Sequence, residues 1–176
     1  RTRSANLFPI WSDRLRELTG IDNGYRRCGA VDVAFDAKQE NDLKAAAGRW
    51  KSEGIAFERL EPSDFGRVEP GLNPELRVAY FVPDRAQVRN PWHLRALATA
   101  CARLGGRLLP GVPCTGFETA GDRVVAVRTP EYQIACEWAV VSAGPWTEGL
   151  LGKVGLRVPT PPIKGQIVLL KSEEPV

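Results

Sequence analysis

One stretch of the sequence is suited to holding a ligand through its backbone. Residues 138–146 form the string WAVVSAGPW, which predicts an apolar strand that ends in Ser142, Ala143 and Gly144 and turns directly into a helix. Small residues at a strand end leave amides and carbonyls accessible to a bound molecule, and cofactors bind at this end of the strands in open α/β sheets. An ordinary strand-to-helix turn is the alternative interpretation of the same pattern.

The residue types that most often do chemistry are few and poorly spaced for it. The sequence has four cysteines and one histidine, namely Cys28, Cys101, Cys114, Cys136 and His93. Without a C-x-x-C pair, this spacing favours neither a zinc site nor a disulfide framework, and it predicts reduced thiols in a cytoplasmic protein. His93 is predicted to be a partly exposed helix residue and not a catalyst. Phosphate-loop, metalloprotease and serine-hydrolase motifs are absent from the sequence, so no self-sufficient active site is predicted.

The composition excludes several classes of protein. The 24 basic and 21 acidic residues leave a net charge of +3, and basic and acidic residues are interleaved along the chain. That pattern favours a solvated surface over a nucleic-acid-binding face. No apolar run approaches the ~18 residues that a transmembrane helix needs. The sequence contains no methionine, and we expect it to be an internal piece of a larger protein.

Hydrophobic periodicity predicts mixed helices and strands up to about residue 106 and mainly strands after it. Predicted helices cover residues 6–18, 37–53, 61–65, 90–104 and 145–154, and predicted strands cover residues 25–35, 77–82, 107–109, 115–119, 123–129, 133–142 and 166–170. The short connections in the second half predict an antiparallel meander. The predicted fold class is therefore α+β.

Two of the predicted helices carry more specific expectations. The first contains Pro9, which is tolerated if Asn6 is the N-cap and the proline lies in the first turn. The fourth begins at Asn90, followed by a proline at the first helical position. Its core-facing stripe is predicted from helical spacing to consist of Leu94, Leu97, Ala98, Cys101 and Leu104.

A series of short motifs then extends over nearly the whole chain in a fixed order. These are LTGID at 18–22, GAVDVA at 29–34, VEPGL at 68–72, PD at 83–84, QVRNP at 87–91, VVSAGPW at 140–146 and PIKGQ at 162–166. Together they resemble the D-amino-acid-oxidase-like (DAO) superfamily of FAD-dependent oxidoreductases, with the glycine oxidase group as the most similar branch.

The resemblance implies an FAD enzyme that oxidises the C–N bond of a small amino acid or secondary amine. In such an enzyme hydride passes to the flavin and the imine product is hydrolysed. By position in the motifs, the backbone of Val112 and Cys114 would contact the adenine. Ser142, Ala143, Gly144 and Trp146 would lie near the pyrophosphate and ribose, and the chain would supply no catalytic residue and no metal ligand.

The resemblance also implies a fragment of a two-domain oxidoreductase. Residues 1–24 would be an N-terminal helix from the FAD-binding part, and residues 25–106 a first passage through the substrate domain. Residues 107–158 would be the meander, strand and short helix of the FAD domain, and residues 159–176 a second substrate-domain passage. The isolated fragment would be inactive, would not retain FAD, and would self-associate through the exposed face of its FAD-domain part.

Two other functions stay open on the sequence alone. One is an FAD-linked dehydrogenase of the same superfamily, of the D-amino-acid or glycerol-phosphate type. The other is a non-enzymatic protein- or RNA-binding module that uses the arginines and exposed aromatic residues.

Overall fold

The computed structural model describes residues 2–165 of the 176-residue chain. Its α-helices are α1 (Thr2–Thr19), α2 (Ala37–Ser52), α3 (Phe65–Val68), α4 (Asn90–Arg103) and α5 (Thr147–Leu151). Its strands are β1 (Ala30–Ala34), β2 (Glu58–Leu60), β3 (Val78–Val82), β4 (Gly116–Ala120), β5 (Arg123–Arg128) and β6 (Gln133–Ala135). They fall into two compact units, one ending at Leu108 and the other beginning at Leu109.

The mixture of helices and antiparallel strands confirms the α+β prediction. Helix α2 matches the prediction for residues 37–53, and the predicted turn at 61–65 forms as a 3-10 turn, Pro62–Asp64, continued by α3. Each helix within residues 2–165 is too short or too polar to cross a bilayer. The strand predicted at residues 166–170 lies outside the described residues.

The first unit contains an antiparallel sheet in the order β1-β3-β2. Strand β3 has the sequence VAYFV, in which every residue is apolar. Because side chains alternate across a strand, such a sequence suits a strand whose two faces are both covered. One face packs with α2 in a core of Ala34, Ala47, Trp50, Val78, Tyr80 and Val82. The opposite face packs in a second core of Leu60, Phe65, Leu76 and Ala79.

Strand β1 is shorter than the strand predicted at residues 25–35, because regular pairing with β3 begins only at Ala30. The preceding residues still pair, but irregularly. Arg26 and Gln87 exchange backbone hydrogen bonds of 3.0 and 2.9 Å, and the Gly29 amide donates to the Arg85 carbonyl at 2.9 Å. In the chain, this narrow ladder lies between the sheet and helices α1 and α4.

An ion pair joins this ladder to the sheet. The two terminal guanidinium nitrogens of Arg85, Nη1 and Nη2, each donate to one carboxylate oxygen of Asp32 at 2.6 Å. The Arg85 guanidinium also lies 5.2 Å from the ring centre of Trp50, the buried tryptophan of α2. A bidentate, partly buried ion pair is stronger than an exposed one. Arg85 therefore connects the irregular ladder to β1 through Asp32 and to α2 through Trp50.

Helices α1 and α4 pack against each other, and two expectations about them were wrong. Helix α1 begins at Thr2, so Asn6 lies inside the helix, and Pro9 lies in the helix interior and not in its first turn. The buried face of α4 is formed by Ala96 and Ala100, which meet Leu15 of α1. The predicted stripe lies beside that face: Leu94 is 68% exposed and Leu104 is 70% exposed. Small alanines let the helices approach closely, so they and not the leucines make the contact.

A polar junction anchors the residues between α1 and the sheet. The Asn23 side chain is 2% exposed, and its Nδ2 donates to Ser12 Oγ at 2.9 Å and lies 3.0 Å from His93 Nδ1. Its Oδ1 accepts from the Tyr25 amide, which can only donate. This contact fixes the orientation of the amide, so Nδ1 of the neutral His93 ring accepts and Nε2 carries the proton. His93 is a half-buried residue of α4, as the sequence predicts, and it forms part of this junction.

The second unit contains the predicted meander, with strands ordered β4-β5-β6. Two strand predictions were wrong: residues 107–109 form no strand, and the strand predicted at 133–142 is reduced to β6, Gln133–Ala135. The Cys136 amide still donates to the Val125 carbonyl at 2.9 Å, but residues 107–109 and 137–142 find no ladder partner among residues 2–165, and an unpaired segment is not a strand. The helix predicted at 145–154 is confirmed as two 3-10 turns, Gly144–Trp146 and Gly152–Val154, on either side of α5.

Replacement of Gly29 tests the close approach of β1 to β3. Gly29 has φ 74°, and a Cβ added there would lie 2.5 Å from Cε2 of Phe81. Gly29→Ala should therefore lower the free energy of unfolding by about 2 kcal/mol, from left-handed backbone strain and overpacking together. Gly20→Ala is the control, because Gly20 has the same φ and no atom within 4 Å of the added Cβ. Equal losses for both variants in urea denaturation would contradict the steric explanation.

Glu40 of α2 predicts an acid-sensitive contribution to stability. Hydrogen bonds from Lys44 and Arg77 lower the pKa of Glu40. A carboxyl whose pKa is lowered in the folded state stabilises it at neutral pH, and this contribution is lost as the pH falls through that lowered pKa. We expect Glu40→Gln to lower the urea midpoint at pH 7, with a smaller difference from the parent chain at about pH 3. Glu75→Gln is the control, since Glu75 forms no ion pair within residues 2–165. A difference independent of pH would contradict the prediction.

Candidate functional site

The strand end singled out in the sequence differs from the neighbouring strands in its backbone amides. Among the contacts within residues 2–165, no amide of residues 138–144 donates a hydrogen bond. By contrast, strands β4 and β5 are held in an antiparallel ladder with one register shift, between Glu118 and Thr119. Amides without a protein partner are available to oxygen atoms of a ligand, so this stretch is the candidate site of the second unit.

Side chains of this stretch alternate between two environments. Trp138 is 86% exposed and Val140 is 91% exposed. Ala139 and Val141 are half-buried and line a cleft of about 740 Å³ within the second unit. The segment therefore keeps the two-residue period of a strand although it forms no ladder.

The turn that follows the stretch is tight. Gly144 has φ 54°, a left-handed conformation that costs any other residue steric strain. The Trp146 amide donates to the Ala143 carbonyl at 3.1 Å and closes a 3-10 turn. Ser142, Gly144 and Trp146 are exposed and Ala143 is half-buried, so the turn presents backbone and an indole ring at the surface.

The other predicted contact, around Val112 and Cys114, lies just before β4. The Val112 amide donates to the Leu109 carbonyl at 3.3 Å, and Cys114 Sγ lies 3.6 Å from the Gly116 carbonyl oxygen. Both Val112 and Cys114 are half-buried. The Cys114 amide has no hydrogen-bond partner within residues 2–165.

The cleft of the second unit is lined by other residues than the predicted ones. None of Val112, Cys114, Ser142, Ala143, Gly144 and Trp146 lines it. Its charged residues are Glu118, Asp122, Arg128 and Lys153, of which Glu118 and Arg128 form an ion pair. Its apolar wall is formed by Phe117, Val124, Ala139, Val141, Leu151, Val154 and Leu156.

Lys153, in the 3-10 turn after α5, contacts the segment that follows Cys114. Its Nζ donates to the Thr115 carbonyl at 2.6 Å, directly after Cys114 in the chain. Its Cδ would lie 3.5 Å from a Cβ added to Gly116. Thr115 and Lys153 are 38 residues apart, so no local spacing in the sequence could have revealed this contact.

These features suit recognition through the backbone and not acid–base chemistry. Within the described part of the chain, no three His, Cys, Asp or Glu side chains cluster closely enough to hold a metal. The single histidine belongs to the other unit and is used in the junction with Asn23. Open amides beside a glycine with positive φ fit the phosphate and ribose oxygens of a dinucleotide cofactor, so the residues present fit FAD.

The chain matches one family model over nearly its full length. The model described as DAO, FAD dependent oxidoreductase, matches residues 3–176. The chain is 30% identical over 174 residues to the bifunctional protein ThiO/ThiG of Trichormus variabilis. The aligned region covers 99% of this chain and 26% of that protein. It is 31% identical over 172 residues to the glycine oxidase of Pseudomonas putida, and this aligned region covers 97% of this chain and 46% of that enzyme.

The fold agrees with this match. The crystal structure of glycine oxidase from Geobacillus kaustophilus aligns with a TM-score of 0.78 and 28% identity, over 88% of this chain and 42% of that one. The chain thus spans less than half the length of these relatives. Because the family model covers nearly all residues in sequence order and a member with a solved structure shares the fold, the chain belongs to the DAO family of FAD-dependent oxidoreductases.

Proposed function

We propose that this chain is part of an FAD-dependent oxidase that acts on the C–N bond of glycine or of a similarly small amino acid or secondary amine. The observation that carries the proposal is the match to glycine oxidases over 97% of the chain. The amides of residues 138–144 support it, because they donate no hydrogen bond within residues 2–165 and a cofactor held mainly by main-chain groups needs such a stretch.

When bound, FAD supplies the two-electron oxidation that converts an amine into an imine, which water then hydrolyses. In this proposal the chain contributes binding and orientation. The amides of Ser142, Ala143 and Gly144 donate towards the phosphate and ribose oxygens, and the Trp146 ring lies beside them. Backbone groups of Val112 and Cys114 contact the adenine edge.

We assign no general base to this chain. Hydride transfer from the α-carbon requires only that the substrate amine arrive uncharged, so no side chain needs to remove a proton from carbon. Asp32, Glu40 and Glu118 all form ion pairs with arginines. The substrate carboxylate and the reacting carbon would be held by residues from the remaining part of the enzyme.

The domain assignment made from the sequence is kept as part of this proposal. Residues 25–106 would belong to the substrate domain, and residues 1–24 and 107–158 to the FAD domain, with a return to the substrate domain from residue 159. A cytoplasmic location and self-association through an uncovered apolar face also remain predictions.

Oxygen consumption distinguishes this function from an FAD-linked dehydrogenase. We expect a complete protein that contains this chain to consume oxygen and form hydrogen peroxide with glycine, sarcosine or D-alanine. The isolated 176-residue chain should be inactive and should not retain FAD, because it spans less than half of its relatives. Reduction of the flavin without oxygen uptake would instead indicate the dehydrogenase. Salt-sensitive retention of a flavin-free protein on heparin or polyU would indicate the binding module.

Replacement of Gly144 tests the proposed phosphate contact. Gly144 has φ 54°, so Gly144→Ala in the complete protein should strain the turn by about 1 kcal/mol and weaken FAD binding about fivefold. Gly149→Ala is the matched control, because Gly149 lies in α5, has an ordinary helical φ and has no atom within 4 Å of an added Cβ. FAD titration followed by flavin fluorescence measures both. Equal affinities for the two variants would argue against a role of the turn in cofactor binding.

A further inference from the structure

Asn23 combines a chemically labile sequence with a buried position. The chain contains five asparagines, and Asn23 is the one that is followed by a glycine. Asparagine is a thermolabile residue, and a following glycine makes it most reactive, because glycine has no Cβ to shield its amide nitrogen. In the structure the Asn23 side chain is only 2% exposed. The asparagine that is most reactive in an unfolded chain is therefore enclosed in the folded one.

The reaction to which this sequence is prone is deamidation, which needs no enzyme. The backbone nitrogen of Gly24 attacks Cγ of Asn23, a new N–C bond forms, and Nδ2 leaves as ammonia together with the proton of the Gly24 amide. Water then opens the resulting cyclic imide and gives aspartate or isoaspartate at position 23. The attack requires rotation of the side chain and of the peptide group that carries the nitrogen.

The side chain of Asn23 is held at both of its polar atoms. Nδ2, the leaving group of the reaction, donates to Ser12 Oγ at 2.9 Å and lies 3.0 Å from His93 Nδ1. Oδ1 accepts from the Tyr25 amide at 3.1 Å. Rotation of the side chain therefore breaks contacts of buried polar atoms with α1, α4 and the following turn, and buried polar atoms that lose their partners raise the free energy.

The attacking peptide group is held as well. The Asn23 carbonyl and the Gly24 amide belong to the same planar group. The carbonyl accepts from the Arg89 amide at 2.9 Å, and the Gly24 amide donates to Asp22 Oδ1 at 2.8 Å. With both ends of the peptide group bonded, the nitrogen cannot turn towards Cγ unless these contacts open.

The fold itself favours both residues of this labile pair. Gly24 has φ 68°, and a Cβ added to it would lie 3.4 Å from Cβ of Arg89, so glycine suits this position. At position 23, aspartate would keep the acceptor for Tyr25 but would lack the donor that faces Ser12 and His93. The product of deamidation therefore does not restore the contacts of Asn23.

We propose that Asn23 is a site of spontaneous deamidation whose rate is set by local opening of the junction formed by Ser12, Asn23 and His93. The closed junction protects the side chain, and each opening exposes it to attack by Gly24. Once aspartate has formed, the junction stays weakened, so the modification is irreversible. The proposal is independent of the proposed function, because every group involved belongs to this chain and none binds FAD.

Peptide mapping by mass spectrometry, which measures aspartate and isoaspartate at position 23 over time, tests the proposal. At one mildly alkaline pH, we expect the folded 176-residue chain to deamidate at least about 100-fold more slowly than the same chain unfolded in guanidinium chloride, because the reaction waits for a rare opening. Low guanidinium concentrations that leave the fold intact should barely change the rate, whereas reaction through global unfolding would accelerate with denaturant.

Two variants distinguish local from global opening. Ser12→Ala removes one acceptor of Nδ2 and should raise the folded-state rate about tenfold. Leu60→Val is the control, because Leu60 is buried in a separate core with Phe65 and Leu76. It should lower the urea midpoint and leave the deamidation rate unchanged.

A second pair of variants tests the effect of the product. Asn23→Asp should lower the urea midpoint, because its carboxylate cannot donate to Ser12 or His93. Asn41→Asp is the matched control and should leave the midpoint near that of the parent chain, since Asn41 is exposed on α2.

Four results would overturn the proposal. Equal deamidation rates in the folded and unfolded chain would show that the junction gives no protection, and an unmodified Asn23 in guanidinium chloride would show that it is no such site. Equal acceleration in Ser12→Ala and Leu60→Val would assign the exposure to global unfolding. An unchanged midpoint in Asn23→Asp would show that the product rebuilds the junction.

Discussion

The need of every extended backbone segment for a hydrogen-bonding partner decides which parts of this chain become sheet. Strand β3 finds β1 on one side and β2 on the other, and residues 23–29 continue the pairing with residues 85–89 through Arg26 and Gln87. Residues 138–144 are also mostly apolar, but their amides donate no hydrogen bond within residues 2–165. The segments around β3 are therefore paired, whereas the amides of residues 138–144 donate no hydrogen bond within the described residues. Those open amides are the basis of the candidate cofactor site.

A second rule concerns the covering of apolar faces. Both faces of β3 are covered, one by α2 with Trp50 and the other by the segment around Phe65 and Leu76. Within the described residues, helix α4 is buried at the alanines that meet α1, and Leu94 and Leu104 are left beside that contact. Apolar area that stays in water carries a free-energy cost in proportion to its size. Such a face is for this reason expected to be buried by further protein surface.

Many charged side chains of the described residues form ion pairs or lie over aromatic rings. Six arginines pair with carboxylates: Arg27, Arg59, Arg67, Arg77, Arg85 and Arg128. Others lie over the rings of Trp11 and Trp92. These contacts give part of the arginine excess a role within the fold. Membership in the DAO family directs attention to the backbone of the second unit, where the chain offers main-chain groups and few reactive side chains.

The sequence by itself determined the family, the fold class and most elements with strong local signals. Helix α2 was predictable from its periodicity, and the meander was predictable from its turns, because both depend on residues close together in the chain. The order of motifs pointed to an FAD enzyme, since each motif records a local backbone requirement of that family.

Tertiary structure alone decided which face of α4 is buried, whether residues 107–109 and 138–142 form strands, and that Lys153 binds the Thr115 carbonyl. Periodicity shows that a helix has an apolar stripe, but the partner helix selects the part of it that permits close approach, and here the alanines do. A strand likewise exists only when a second segment supplies its hydrogen bonds. Contacts between residues far apart in the chain depend on the packing of whole elements, which no local pattern contains.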